Sequence, residues 1–133
     1  MNKYKEMFEK NRKSLKRFTK SFGYAKEGIR YAFYHEQNII VMFIMGILAI
    51  ILGLLLNISY LERLVIILLI GQILALELIN TAIEAVVNLH DGDKKSKYGK
   101  VAKDCASGAV AVASIFAFIV GLIVFIPRII SLF

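Results

Sequence analysis

The stretch that decides the fold is Ile39–Leu56, IIVMFIMGILAIILGLLL. It contains no charged or strongly polar side chain, and it reaches the length of about 18 residues at which an apolar segment can cross a membrane as a helix. A helix rises about 1.5 Å per residue, so this one would come close to the thickness of the hydrocarbon core. The stretch therefore predicts a transmembrane helix, which we assign to about residues 38–57.

Two more apolar stretches follow along the chain. Ala106–Ile126 is free of charge and ends at Pro127, which predicts a span over about residues 104–126. Leu64–Val87 is apolar for most of its length, and it predicts a span over about residues 63–89. Its polar side chains lie mostly towards its C-terminal end: Gln72, Glu77, Asn80 and Glu84. The sequence thus predicts three spanning helices.

The composition of the whole chain agrees with an all-α integral membrane protein. Of its 133 residues, 58% are hydrophobic and only 20% are charged, whereas a soluble domain is nearer half apolar and a quarter charged. The apolar content excludes disorder, and the single cysteine, Cys105, excludes a secreted disulfide scaffold. The length allows one domain, residues 1–133.

The N-terminal segment, residues 1–37, has a different pattern. Apolar side chains recur there in steps of three or four, which is helical spacing, and cations occupy the other positions. The recurring residues are Leu15, Phe18, Phe22, Ala25, Ile29 and Phe33. This pattern predicts a basic amphipathic helix lying in the membrane interface, with its lysines towards anionic headgroups. The alternative is a solvated helix that packs on a partner.

The basic residues also predict the topology. All of the 17 lysines and arginines except Arg63 and Arg128 lie in the N-terminal segment or in the Asp91–Asp104 loop. Because cytoplasmic segments carry the excess of lysine and arginine, we expect both of these regions to be cytoplasmic. Anionic lipid accounts for the net charge of +7, and we expect no nucleic-acid partner.

The carboxylates inside the third predicted span are the best candidates for a functional site. Glu77, Asn80 and Glu84 are spaced by three and four residues and so share one helix face. A charged carboxylate in the hydrocarbon costs at least about 2.5 to 3.5 kcal/mol and usually marks function. The alternative is a protonated Glu77 that is hydrogen-bonded between helices.

Further polar residues are expected at the same interface. Glu36 precedes the first span, and with Glu84 it would supply the paired carboxylates that suit Mg²⁺ bound to phosphate oxygens and water. Lys103 and Asp104 stand at the start of the last span, where the cation could meet a phosphate or could simply belong to a helix end. Since three thin helices enclose little volume, we expect neighbouring subunits to complete the site. Small residues that would allow close helix packing recur in the last span: Ser107, Gly108, Ala111, Ser114, Ala117 and Gly121.

The stretch Glu77–Val87, ELINTAIEAVV, closely resembles the signature E-x-x-N-[ST]-A-I-E of the prokaryotic diacylglycerol kinase family. The resemblance covers nearly the whole chain. It continues at Arg17, Gly23-Tyr24, Gly28-Ile29-Arg30, Glu36 and Ala102-Lys103-Asp104. The ending Gly121–Pro127 is similar to the Gram-positive branch, whose members are often undecaprenol kinases.

The resemblance implies a homotrimeric enzyme with an N-terminal surface helix and three spanning helices in each subunit. It implies transfer of the γ-phosphate of MgATP to a lipid hydroxyl. Glu77 matches the catalytic base, Asn80 the asparagine beside the site, and Glu36 and Glu84 the carboxylates that bind the magnesium of the nucleotide. The positions that match nucleotide contacts are Arg17, Tyr24, Lys103 and Asp104.

Two departures from the family pattern stand near the site. Asn88 replaces the aspartate that commonly follows the paired valines. The Asp91–Lys103 loop is about one residue longer than in the best-known enterobacterial member, which leaves the nucleotide contacts within Asp93–Lys95 unassigned.

Other functions remain open from the residues alone. A small proton-coupled exporter also uses a membrane-embedded glutamate, but it usually has four spans. A non-catalytic membrane adaptor would use the basic helix and would give no reason for the acidic face. Within the kinase interpretation, the branch resemblance favours undecaprenol over diacylglycerol as the lipid, and no local motif distinguishes the two.

Overall fold

The computed structural model describes residues 3–92 and 94–133, with side chains from Arg12 onward. The described residues form four helices: α1 (Lys3–His35), α2 (Gln37–Leu55), α3 (Tyr60–Asp91) and α4 (Lys97–Ile130). Three of them, α2, α3 and α4, are long and apolar enough to cross a membrane. The prediction of an all-helical chain with three such helices is therefore confirmed. The chain divides into two units, α1 and residues 36–133, which we describe separately.

The first unit, α1, covers the segment for which the sequence predicts a basic surface helix. From Arg12 to Tyr31 its side chains are exposed, including those of Arg17 and Tyr24. Phe18 and Phe22 are one turn apart, and their rings meet edge to face at 5.0 Å between centroids. The helix ends at His35, whose ring stacks on Tyr31 at 4.1 Å.

The second unit contains α2, α3 and α4, with α3 packed against both of the others. Successive helices run in opposite directions through short connections, so the unit has two ends. We call them the α2–α3 end, around residues 56–59, and the α3–α4 end, around residues 92–96. Glu36, with extended backbone dihedrals, precedes α2. Because α2 is shorter than α3, the start of α2 lies on the side of the unit that leads to the α3–α4 end.

The α2–α3 end is held by a capping box and an ion pair. The Ser59 backbone N–H donates to the Glu62 carboxylate at 2.6 Å, and the Glu62 N–H donates to the Ser59 hydroxyl at 3.3 Å. Such a box satisfies two helix-start donors that would otherwise lack partners. Arg128 near the end of α4 donates to the same Glu62 oxygen at 3.1 Å. These bonds fasten the start of α3 to the end of α4.

The apolar core lies near the same end. It consists of Ile58, Ile66 and Val124, with partly buried side chains around them. The helices approach closely at Gly53, where a Cβ atom would lie 2.7 Å from the Ile58 side chain. A residue with a side chain at this position would therefore require the Ile58 side chain to move.

The last helix continues past the proline at which we expected it to end. α4 runs to Ile130 and contains Pro127. A proline ring fixes φ at a helical value and removes one N–H donor, so near a helix end it costs only one bond. The turn that contains Pro127 is also held by the Arg128–Glu62 pair and by the Ser131 N–H, which donates to the Pro127 carbonyl at 3.1 Å.

The α3–α4 end is a tight turn. Gly92 ends α3 with a positive φ of 53°, a backbone conformation that glycine adopts without strain. Ser96 begins α4, and its hydroxyl accepts from the Gly99 N–H at 2.9 Å. The Asp91 carboxylate in turn accepts from the Ser96 N–H at 3.0 Å and from the Ser96 hydroxyl at 2.8 Å. One aspartate thus joins the last residue of α3 to the cap of α4.

Candidate functional site

A row of polar side chains follows α3 towards the α3–α4 end. Glu77, Asn80 and Thr81 are buried, and Glu84 is half-buried. Glu77 is only 2% exposed, which makes it one of the two largest fully buried side chains among the described residues. The shared face expected from the spacing is therefore turned into the helix bundle.

Hydrogen bonds connect this row within α3 and to α4. The Asn80 amide donates to the Glu84 carboxylate at 3.2 Å, and the Thr81 hydroxyl donates to the Glu77 carbonyl at 3.0 Å. From α4, the Ser107 hydroxyl donates to the Asn80 amide oxygen at 3.4 Å. Ser107 thereby favours the amide orientation in which Asn80 presents its NH₂ group to Glu84.

The Glu77 carboxyl group is the least satisfied polar group in this row. Its Oε1 atom is buried and has no hydrogen-bond partner among the described residues. The Asn38 side chain on α2 acts as a hydrogen-bond partner of the carboxyl group, and Glu36 and Glu84 are near enough to interact with its charge. The surroundings of Glu77 thus include residues of both α2 and α3, and one of its oxygens has no partner among the described residues.

Ser107 and Asn38 were not assigned to the site from the sequence. The sequence predicts Ser107 only as a small residue of the last spanning helix. It predicts Asn38 only as the first residue of the first spanning helix. The only sequence feature that indicates a role in the site is that each is a polar residue near the expected membrane boundary. Their roles depend on which helix faces meet, and that pairing is absent from the local sequence.

The described residues contain no group of three or more His, Cys, Asp or Glu side chains that could hold a metal ion on their own. Two carboxylates, Glu36 and Glu84, approach Glu77. This donor set fits Mg²⁺ better than an ion that needs a complete protein cage, because Mg²⁺ is usually bound by one or two carboxylates together with substrate phosphates and water.

The two α4 residues predicted to contact nucleotide have different partners. The Lys103 ammonium donates to the Asn88 side-chain oxygen on α3 at 2.6 Å. Asp104 is exposed and pairs with Lys100 one turn earlier at 2.8 Å. Lys103 thus reaches the row of polar residues on α3, whereas the Asp104 carboxylate is engaged along its own helix.

Arg17 and Tyr24, also predicted to contact nucleotide, lie on α1. They belong to the other unit, and the geometry given above rests on residues 36–133 alone. Asp93, in the loop whose contacts the sequence left unassigned, lies outside the described residues.

An apolar groove of about 510 Å³ runs between α3 and α4. Leu76, the neighbour of Glu77, lines it together with Gln72, Gly108, Val112 and Phe116. Its walls are thus mostly hydrocarbon, in the part of both helices that is apolar enough to lie in a membrane.

Residues 23–125 match the prokaryotic diacylglycerol kinase family. The chain belongs to this family. The undecaprenol kinase of Bacillus subtilis (strain 168) is 41% identical over 118 residues, which is 89% of this chain and 95% of that protein. The diacylglycerol kinase of Synechocystis sp. is 39% identical over 112 residues, which is 84% of this chain and 64% of that protein.

Membership in the prokaryotic diacylglycerol kinase family confirms the resemblance read from the sequence. The protein is a lipid kinase of the membrane, and it transfers a phosphoryl group from ATP to a lipid. The exporter and adaptor alternatives are set aside because the family consists of kinases.

Proposed function

We propose that this kinase phosphorylates undecaprenol at the expense of MgATP and forms undecaprenyl phosphate. The undecaprenol kinase relative supports this lipid because the match covers nearly all of both proteins. The match to the diacylglycerol kinase covers a smaller part of that relative, so diacylglycerol is the alternative substrate. The observation that carries the proposal is a buried carboxyl group, Glu77, with one unpartnered oxygen in a helix long and apolar enough to span a membrane.

Glu77 is the proposed catalytic base. Its free oxygen would accept the proton of the lipid hydroxyl while the hydroxyl oxygen bonds to the γ-phosphorus and the bond from that phosphorus to ADP breaks. The low exposure of Glu77 keeps water, a competing acceptor of the phosphoryl group, away from the reacting hydroxyl. Phosphoryl transfer depends mainly on positioning and charge neutralisation, so the protein needs no covalent intermediate and one well-placed base is sufficient.

Glu36 and Glu84 are the proposed ligands of the magnesium that accompanies ATP. When bound, this ion supplies charge neutralisation for the β- and γ-phosphates. Asn80 supports the arrangement because its amide donates to Glu84 and thereby orients that carboxylate.

Four further residues are proposed to contact the nucleotide, as the family resemblance implies: Arg17, Tyr24, Lys103 and Asp104. Lys103 has the best structural support, because its ammonium is directed to the polar row on α3. Arginine and lysine suit this role since both donate charge-assisted hydrogen bonds to phosphate oxygens.

The groove beside Leu76 is proposed to receive the hydrocarbon chain of the lipid. Its apolar lining suits an isoprenoid or acyl chain, and it borders α3, the helix that carries Glu77. A groove open to the bilayer would let the substrate enter sideways without leaving the membrane.

We also propose that the enzyme is a homotrimer in the bacterial cell membrane, with α1 on the cytoplasmic surface and the α3–α4 loop in the cytoplasm. Of the most apolar window of α4, only 11% is buried within one chain, so lipid or neighbouring copies must cover the rest. The distribution of lysine and arginine supports the topology. The incomplete ligand set around Glu36 and Glu84 supports a site completed by substrate and neighbouring subunits.

The test is transfer of labelled phosphate from ATP by purified protein in mixed micelles, with undecaprenol and diacylglycerol assayed side by side and Mg²⁺ present or absent. We expect faster turnover of undecaprenol and dependence on Mg²⁺. Faster turnover of diacylglycerol would replace the proposed lipid with the alternative. Activity unaffected by a chelator would contradict the magnesium assignment.

A further inference from the structure

Asn88 extends the polar row of α3 by one turn beyond Glu84. Its side-chain oxygen accepts from the Lys103 ammonium at 2.6 Å, a contact between residues 15 apart in sequence that crosses from α3 to α4. Since four residues of helix rise about 6 Å, Asn88 anchors this cation about one turn from the Glu84 carboxylate. A cation and a magnesium-binding carboxylate at that separation could act on the same polyphosphate chain.

The backbone that carries this contact is well fixed. Asp91 accepts two hydrogen bonds from Ser96, and Ser96 in turn caps α4 through the Gly99 N–H. Gly99 is buried, and a Cβ atom there would run into the Asp91 carboxylate and would lie 2.9 Å from Val87. The two helices are therefore locked in register where Asn88 and Lys103 meet.

The partner of Lys103 is a neutral amide, so the hydrogen bond orients the ammonium and does not cancel its charge. The nearby carboxylates are engaged elsewhere. Asp91 is within electrostatic range of Lys103 but bonds to Ser96, and Asp104 pairs with Lys100. A lysine ammonium has three donors, and Asn88 takes one, so two remain for phosphate oxygens.

We propose that Asn88 is a positioning residue, which holds the Lys103 ammonium in place for the nucleotide phosphates without forming an ion pair with it. An aspartate at this position would keep the contact but would form an ion pair, and the nucleotide would have to compete with it. The inference deepens the proposed function and rests on the nucleotide contact assigned there to Lys103.

The experiment is a double-mutant cycle on the full-length enzyme in mixed micelles, with KM for MgATP and kcat measured at saturating lipid. Asn88→Asp is expected to raise KM about fivefold, the factor that an exposed charge pair contributes, and to change kcat less than about twofold. In a Lys103→Met background the same change is expected to alter KM less than about twofold, because no ammonium is left to pair. Raising the ionic strength should shrink the effect of Asn88→Asp, since the ion pair is exposed to solvent.

Two further variants serve as controls for the double-mutant cycle. Asn57→Asp makes the same chemical change at the α2–α3 end, where a positive φ of 48° suits either residue, and it should leave KM unchanged. Asn88→Ala releases the ammonium without adding charge and is expected to raise KM about two- to threefold, because the freed side chain must be ordered when the nucleotide binds. It replaces Asn88→Asp in the cycle if the aspartate variant fails to fold.

The outcomes separate the inference from the function on which it rests. If Lys103→Met leaves KM for MgATP unchanged, the proposed nucleotide contact of Lys103 is wrong, and the role of Asn88 falls with it. If Lys103→Met raises KM but the Asn88 variants leave it unchanged, or change it equally with and without Lys103, only the inference about Asn88 is overturned.

Discussion

Glu62 and Glu77, in opposite halves of α3, have different surroundings. At the α2–α3 end, Glu62 accepts hydrogen bonds from the Ser59 backbone and from Arg128, so its charge is matched locally. In the half of α3 that leads to the α3–α4 end, Glu77 is almost fully buried, it has other carboxylates nearby, and one of its oxygens has no partner among the described residues. The first arrangement fastens helices together, whereas the second leaves an acidic atom without a hydrogen-bond partner among the described residues.

The α2–α3 end has an unpartnered buried atom of its own, the Nε of Arg63. The same guanidinium still reaches the Ile58 carbonyl through Nη2 at 3.5 Å, and a guanidinium has several other donors. A carboxylate has only two oxygens, so one unpartnered oxygen is half of its binding capacity. The comparison of the two ends therefore rests on Glu77 rather than on a count of unpartnered atoms.

After Glu77→Gln, the largest effect that would sharpen this comparison is expected from Glu84→Gln. Loss of a magnesium-binding carboxylate should lower kcat/KM for MgATP about a hundredfold or more, since a catalytic metal ion contributes several kcal/mol. Part of the loss should be recovered at high Mg²⁺ concentration. The check is phosphate transfer measured across a Mg²⁺ titration, and an unchanged magnesium requirement would contradict the assignment.

The next largest effect concerns the register of α3 and α4. Gly99→Ala should destabilise the protein by about 1 to 3 kcal/mol, because the new methyl group overlaps Asp91, Ser96 and Val87. Gly71→Ala is the matched control, since a Cβ there meets nothing within 4 Å and alanine favours a helix. Thermal unfolding in detergent tests the pair, and equal stability of both variants would show that the α3–α4 turn is not tightly packed.

Loss of the capping box should reduce stability and spare catalysis. Ser59→Ala removes the side chain that accepts from the Glu62 N–H, which should cost about 1 kcal/mol. The turnover of the folded fraction should stay unchanged because the box lies at the end opposite Glu77. Unfolding curves and specific activity measured on the same samples separate the two quantities. A lower turnover without loss of stability would break the division between the two ends.

The smallest effect is expected at Ser107. Its bond to Asn80 is long, at 3.4 Å, so Ser107→Ala should lower kcat only about two- to threefold. Ser107→Thr keeps the hydroxyl and should retain more activity than the alanine variant. Steady-state kinetics at saturating lipid and nucleotide measure both, and equal losses in the two variants would show that the hydroxyl has no part in orienting Asn80.

The sequence predicts most of the fold because few backbone conformations are possible for a chain in the hydrocarbon of a membrane. Uninterrupted apolar stretches such as Ile39–Leu56 must be helical to satisfy their backbone groups in lipid. The end of α4 was predicted wrongly at Pro127, since a contact distant in sequence, Arg128 with Glu62, supports the turn that contains the proline. The low helix propensity of proline describes only the cost of Pro127 within a helix, and it contains no information about the Arg128–Glu62 contact.

The candidate site was predictable to the extent that its residues lie on one helix. Glu77, Asn80 and Glu84 share a face by spacing alone, and the structure brings that face into the bundle. Asn38, Ser107 and Asn88 could not be assigned in this way, because their contacts join different helices. The roles of Arg17 and Tyr24 stay predictions from the family resemblance.

The most direct test of the central claim compares two isosteric changes, Glu77→Gln and Glu62→Gln, in the labelled phosphate-transfer assay. We expect Glu77→Gln to lower kcat by about 10² to 10⁴, the usual contribution of a general base, in a protein that remains folded. Glu62→Gln should keep the activity within about twofold, because it removes only a partly exposed ion pair at the other end. Near-normal turnover by a correctly folded Glu77→Gln protein would contradict the assignment of the base and the functional difference between the two ends.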